Sequence, residues 1–349
     1  METTTILEEE DPPHHVGQEK EYLLVCDLPQ RVRTLRLAGL TTPASDDDIF
    51  LSIQEQMVEN FQKLLPTGTS LRVIDMQELA DSILTRAQNI VADLDHGYII
   101  STCSEIAQMA HGMTIEVNRL ADETGKVIGV GSRPGYPDLP TQFSAALKAA
   151  AGRPIVLIED GTFTGTTMSN IVKQLKDRGA TIASIVLGFA FPESRSRLQE
   201  VIDFDRVHLI HELNQPVDWV PDHDFFPFIP NCGRVIGVPI NGTFCPYYDF
   251  NGDTFSIPYL TAFCPMSDWI GIKTEANRLL GLTHFFLDST SRIFEKLEQL
   301  NNKTIRFSDL RHIRPRVCIP WSIGQHGVSE LIHNQSVRQY LRHLKSEID

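Results

Sequence analysis

Apolar residues fall along this chain in two kinds of pattern. Short continuous runs at 22–26, 96–102, 113–119, 155–158, 181–187 and 207–211 predict strands. The runs at 155–158 and 181–187 are apolar on both faces, as in a parallel sheet covered by helices. Apolar residues at helical spacing over 45–65, 76–94, 104–110, 168–175, 195–202, 289–300 and 336–347 predict helices. The first of these opens on Ser45 followed by Asp46, Asp47 and Asp48, a start with acidic groups in the first turn. Pro29, between 22–26 and the apolar stretch 32–37, reads as the turn of a hairpin. From 96 to 213 strands and helices alternate, which predicts a parallel sheet with right-handed crossovers and a ligand at the carboxyl ends of its strands. Between 120 and 140 the chain is polar and carries Gly125, Gly129, Gly131 and Gly135, the pattern of a mobile loop.

Composition divides the chain further. Residues 1–20 hold six acidic groups against one lysine and predict a disordered tail. Residues 21–95 form an N-terminal helical segment, 96–213 the core, and 214–349 an accessory region rich in Pro and aromatic residues, among them Trp219, Phe225, Phe226, Phe228, Tyr247, Tyr248 and Trp269. A chain of 349 residues that is 42% hydrophobic and 22% charged has room for one α/β core and a substantial addition. No apolar run reaches the roughly 20 residues that span a bilayer, and the acidic N-terminus lacks the features of a signal peptide, so a cytoplasmic location without membrane contact is expected. The formal charge of −14 argues against broad binding to nucleic acid. Lys303, Arg306, Arg311, Arg314 and Arg316 face only Asp309, however, and make 303–316 either a solvated helix face or a contact for a nucleic acid or protein partner. Six cysteines without a closely spaced pair signal neither a zinc knuckle nor a disulfide framework. Nucleotide-loop, nucleophile-elbow and His-Glu-x-x-His motifs are absent, and there is no internal repeat.

The chemistry concentrates where the run Ile155, Val156, Leu157, Ile158 meets Glu159, Asp160, Gly161, Thr162, Phe163, Thr164, Gly165, Thr166 and Thr167, followed by a helix. Backbone N–H groups and hydroxyls at such a helix start favour a phosphate, and the two carboxylates suit ribose hydroxyls or a Mg²⁺ ion brought by the ligand. This string resembles the signature of the type I phosphoribosyltransferases: four apolar residues, two acidic ones, two mostly apolar, any residue, Thr-Gly, any residue, Thr. Gly161 stands where an apolar residue is usual. The resemblance implies a phosphoribosyltransferase-like α/β core, with a central parallel sheet flanked by helices and a hood or accessory α+β region. It also implies a glycosyltransferase that moves a 5-phosphoribosyl group from phosphoribosyl pyrophosphate (PRPP) to a nitrogenous acceptor.

By that resemblance Glu159 and Asp160 are the catalytic pair on the ribose and Mg²⁺, and they bind PRPP with Thr162, Thr164, Gly165, Thr166 and Thr167. The pyrophosphate loop corresponds to Thr102, Cys103, Ser104 and Glu105, with Arg119 near it, although the paired glycines of many members are missing and Glu105 stands in the loop. The family's closing loop corresponds to 120–140, where Lys126 and Arg133 are either phosphate contacts or exposed loop charges. Enzymes acting on 6-oxopurines carry an acidic residue just before Thr-Gly; this chain has Phe163, which points away from such an acceptor. An acceptor pocket is expected around Trp219, Asp222, His223, Asp224 and Phe225; an Asp-His pair or a nucleophilic Cys232 is one reading of 222–234 and a structural loop the other. A homo-oligomer is expected. The alternative function is a PRPP- or nucleotide-sensing regulator or effector of a bacterial conflict or phage-defence system, for example a retron-associated one.

Overall fold

The computed structural model describes residues 20–94, 96–103, 106, 112–122, 124, 126–133, 136–240, 243–246, 249–250, 253–254, 256–261, 263–313 and 334–348. Among the described residues the architecture is mixed α/β, with wholly parallel sheets of five and three strands, a mixed sheet of four and a two-stranded antiparallel pair, flanked by helices. Residues 1–19 of the predicted tail 1–20, Ser104, Glu105, most of the helix at 104–110, Arg314, Arg316 and Cys318 lie outside the described residues, while Lys20 begins the first strand. Among the described residues no helix is long and apolar enough to cross a membrane.

The central sheet has five parallel strands in the order β4-β3-β7-β8-β9: β3 Tyr98–Ser101, β4 Met113–Thr114, β7 Ile155–Thr162, β8 Ile182–Ala190 and β9 Val207–His211. Alternate residues of β7 and β8 supply two cores. Ile155, Leu157, Ile185 and Leu187 pack against α4 (Leu139–Ala150), α5 (Thr166–Asp177) and α6 (Ser194–Gln199). Val156, Ile158, Val186 and Phe189 face the other way, onto Leu79, Ala80 and Ile83 of α3 (Met76–Asp93) and onto Leu23 and Val25. This two-sided burial is why the strands read as unbroken apolar runs. Asp75 caps α3 by accepting from the backbone N–H of Glu78 at 3.0 Å.

The N-terminal segment departs from the expected hairpin. Residues β1 Lys20–Cys26 form the middle strand of a three-stranded parallel sheet, between β2 (Thr69–Asp75) and β10 (Pro216–Pro221). Pro29 opens the helix α1 (Leu28–Arg33) instead of turning a hairpin, consistent with proline's fitness for the first helical turn. The helix α2 spans Asp48–Leu64, with Asp47 as its cap.

The predicted strand 113–119 divides in two. After β4, Glu116 donates its backbone N–H to the Gln142 side chain at 2.7 Å, and β5 (Val117–Ala121) then leaves the central sheet. With β6 (Val127–Ser132) it makes an antiparallel hairpin where an irregular mobile loop was expected. The hairpin pairs through β5 with β11 (Val235–Ile240), far along the chain, which in turn pairs with β12 (Thr243–Pro246).

Toward the C-terminus, α7 (Met266–Trp269) precedes α8, which runs over Ala276–Asn301 and so begins well before the predicted 289. Thr283 and Thr290 are fully buried in α8, yet their hydroxyls donate to the carbonyls of Leu279 and Phe286 within the helix. With α9 (Val337–Ile348), α8 encloses an aromatic core in which Phe225 stacks on Phe286 at 4.5 Å and Phe228 meets Phe307 and Tyr340 edge-on. In the basic segment, Lys303 is paired with Asp309 at 2.8 Å and Arg306 donates to the Asn334 carbonyl, so both cations are engaged by groups of this chain at its surface.

Candidate functional site

Strand β7 delivers its acidic pair to the carboxyl edge of the central sheet, and the chain turns there into α5. Gly165 makes the turn possible. It sits at the helix cap with φ 76°, and a Cβ there would meet the Ser194 carbonyl oxygen at 2.9 Å. No side chain caps α5; Thr164 and Thr166 hydroxyls bond each other at 2.8 Å at its start. The unusual Gly161 has a steric cause: it lies opposite Phe189 in the β7/β8 register, and the buried Phe189 ring occupies the place of its side chain.

These residues line a cleft of about 570 Å³. Glu159, Asp160, Thr162, Thr164, Gly165, Thr166 and Thr167 all border it, as do Thr102 and Cys103 from the end of β3 and Arg119 from β5. Thr102 is fixed by donating both its N–H and its hydroxyl to the Ile158 carbonyl. Burial, and then the charge of Asp160, push the Glu159 carboxyl well above the ordinary carboxylate range. Asp160 accepts from the Gly161 N–H at 2.8 Å. The two carboxyls are hard oxygen donors at an open cleft, a set that fits Mg²⁺. From the hairpin, Lys126 and Arg133 also border the cleft; Arg133 is anchored by Glu116 at 3.3 Å and by the Val117 carbonyl at 3.0 Å.

The remaining wall comes from the accessory region and differs from expectation. Trp219, His223 and Asp224 border the cleft, but Asp222 and Phe225 do not. Phe225 is fully buried in the aromatic core, and Cys232, also fully buried, is no exposed nucleophile. Asp222 serves the neighbouring sheet: one of its oxygens accepts from the N–H groups of Asp27 and Leu28, each at 2.9 Å. Because β1 and β10 lie side by side, Asp27 and His223 meet at their carboxyl ends, with Nδ1 of His223 2.7 Å from Asp27. Its Nε2 faces the Asn231 carbonyl at 3.2 Å and Asp224 at 3.4 Å. Each ring nitrogen thus faces an oxygen of the protein. Burial alone would raise the Asp27 carboxyl, but His223 and Arg31 hold it well below the carboxylate range. Asp222, buried beside the Asp27 charge, is pushed well above it.

The segment 222–234 has three left-handed residues, Phe228, Asn231 and Gly233, so the structural-loop reading describes its backbone. It nevertheless presents side chains to the cleft. Arg234 closes that segment and Trp269 was among the accessory-region aromatics, whereas Tyr259, which also borders the cleft, was not singled out by motif or spacing. Arg31 and Asp27 carried no signal at all, since they become site neighbours only through the β1/β10 pairing.

Comparison with protein-family profiles finds no match, and no curated protein matches either. Among solved structures, the chain is similar to a crystal structure of an adenine phosphoribosyltransferase, with 13% identity over 39% of this chain and 79% of that one. The TM-score is 0.25, a likeness that fixes neither fold nor function.

Proposed function

We propose that this chain binds Mg²⁺·PRPP at the carboxyl edge of its central sheet and transfers the 5-phosphoribosyl group to a nitrogenous acceptor. The observation that carries the reading is the convergence, on one cleft, of Glu159, Asp160 and the uncapped start of α5 with Thr102 and Arg119. The α5 amides and the Thr164 to Thr167 hydroxyls are suited to the 5′-phosphate, and the acidic pair to the ribose hydroxyls. Glu159 and Asp160 would hold Mg²⁺, which supplies charge neutralisation for the pyrophosphate. In the transfer, the bond between the ribosyl carbon and pyrophosphate breaks with its electron pair leaving on pyrophosphate. The acceptor nitrogen forms the new bond and gives up its proton to solvent or to a base. Arg119, Lys126 and Arg133 are placed to favour the departing anion.

Calorimetry tests this directly. Mg²⁺·PRPP is expected to bind the wild-type chain, and the double variant Glu159→Gln, Asp160→Asn to bind at least tenfold more weakly, since charged hydrogen bonds contribute about 1.5–3 kcal/mol each. Equal affinity in a folded double variant refutes the site. One observation favours a second reading, a sensor that binds PRPP without turnover. Phe163 replaces a carboxylate next to Thr164, and both His223 nitrogens are engaged elsewhere, so neither side chain offers a base to the acceptor. Absence of pyrophosphate release with every acceptor, despite tight PRPP binding, would select it.

A further inference from the structure

The wall contributed by the accessory region holds an arginine with no ion-pair partner among the described residues. Arg234 is partly buried and borders the cleft, with its guanidinium over the rings of Tyr259 at 5.0 Å and Trp269 at 5.2 Å. Its Nε donates to the Tyr259 hydroxyl at 2.6 Å and one terminal nitrogen to the Trp269 carbonyl at 3.5 Å. Among the described residues no carboxylate forms an ion pair with it. Asp224 and Asp218, which accept from the Gly233 N–H at 2.7 Å and the Trp219 N–H at 2.8 Å, act on it from beyond ion-pair distance and with Tyr259 offset the cost of its burial. Cations withdrawn from water are ordinarily paired, because desolvation is costly.

A second donor stands beside it. The indole Nε1 of Trp269 has no hydrogen-bond partner among the described residues, although Trp269 is only 3% exposed and borders the same cleft. Buried donors are nearly always satisfied, so this one calls for an explanation. Arg234 immediately precedes Val235, and Arg119 immediately precedes its parallel partner Leu120, so the two guanidinium-bearing residues stand side by side at the start of the β5/β11 pairing. The charge of Arg119 acts on Glu159 of the core and on Tyr259 of the aromatic wall. Arg234 belongs to the aromatic wall with Trp219, Tyr259 and Trp269.

The geometry points to an acceptor that carries an oxyanion, a carboxylate or a phosphate, held by the Arg234 guanidinium and the Trp269 N–H while its ring lies among the aromatic side chains. This rests on the phosphoribosyl-transfer reading for the identity of the second ligand as an acceptor. The chemistry itself is independent of it: a guanidinium and an unpartnered N–H on one wall favour an anionic acceptor-only group over a neutral amide or amine.

The test uses the full chain with Mg²⁺·PRPP and matched probes: orotate against uracil, nicotinate against nicotinamide, and, with Mg²⁺·PRPP saturating, phenyl phosphate against phenol. Binding is read by calorimetry with and without PRPP, and turnover by pyrophosphate release. At least one acidic member is expected to bind on the order of 10-fold or more tightly than its neutral partner, and the pairs that respond distinguish carboxylate from phosphate. Arg234→Gln, and separately Trp269→Phe, which keeps the ring and removes the donor, should abolish that preference while Mg²⁺·PRPP affinity changes by less than about twofold. Three results overturn the proposal: equal or better binding of the neutral members, no binding of any acidic probe at millimolar concentration, or loss of PRPP affinity in Arg234→Gln to the same degree, which would assign that residue to pyrophosphate. Failure of the wild-type chain to bind PRPP would instead overturn the transferase reading, and the acidic probes alone would still decide the anion site.

Discussion

Asp222 shows what a single proton does in this fold. Its carboxyl is buried, lies against the charged Asp27 and is raised in the folded protein, so between the ordinary carboxylate range and its folded value the native state holds a proton that the unfolded chain has released. Its contribution to stability therefore falls as pH rises through that window. Asparagine can keep the oxygen that accepts from the Asp27 and Leu28 N–H groups and offer an N–H to Asp27 where the acid offered an O–H. The expected outcome for Asp222→Asn is a melting temperature close to wild type near pH 5 and above it at pH 8, measured by thermal melts across that range. A variant that loses stability equally at every pH would show that Asp222 is held as the anion. None of this chemistry was legible in the sequence, because Asp27 and His223 are joined by strand pairing rather than by spacing. The signature residues were legible for the opposite reason: Glu159, Asp160 and the Thr-Gly turn are consecutive, and one strand, one turn and one helix suffice to place them.

Among the elements, those with their own periodicity were readable. The strand 207–211 and the helices at 76 and 337 differ from expectation by no more than a residue or so, since each shows its buried face in the chain itself. The hairpin 117–132 was not, because its glycines and polar residues describe a loop until β11 arrives to pair with β5. That pairing ties the edge of the cleft bearing Arg119 to the wall bearing Arg234, so the two move together or separate by breaking it. Val235→Pro removes a backbone donor from the β11 side of this short parallel contact. Hydrogen exchange is expected to show the amides of 117–121 losing protection in that variant, while those of β7 and β8 remain as protected as in the parent chain. Unchanged protection of 117–121 would mean that the hairpin stands on its own.

At the scale of the whole molecule, the core expected at 96–213 covers its central sheet on one face only. Leu157, Ile185 and Leu187 are sealed by α4, α5 and α6, but Val156, Ile158, Val186 and Phe189 depend on α3 and β1, which precede residue 96. A fragment of 96–213 should therefore bind a hydrophobic dye and melt without a cooperative transition, whereas the full chain melts cooperatively and leaves the dye unbound. A sharp melt in the fragment would show that α3 and β1 are dispensable cover. This dependence was beyond the sequence, since 155–158 records that both faces are buried and not which segments bury them. The same topology governs how the chain comes into being. A ribosome releases β1 and β2 early, but the strand that flanks β1 on its other side, β10, emerges only after the whole central sheet has been made. Until residues 216–221 leave the exit tunnel, β1 has a bare hydrogen-bonding edge along its apolar residues 22–26, a surface open to any other nascent strand. The order of synthesis thus sets a waiting time for the N-terminal sheet that ends only when β10 closes that edge.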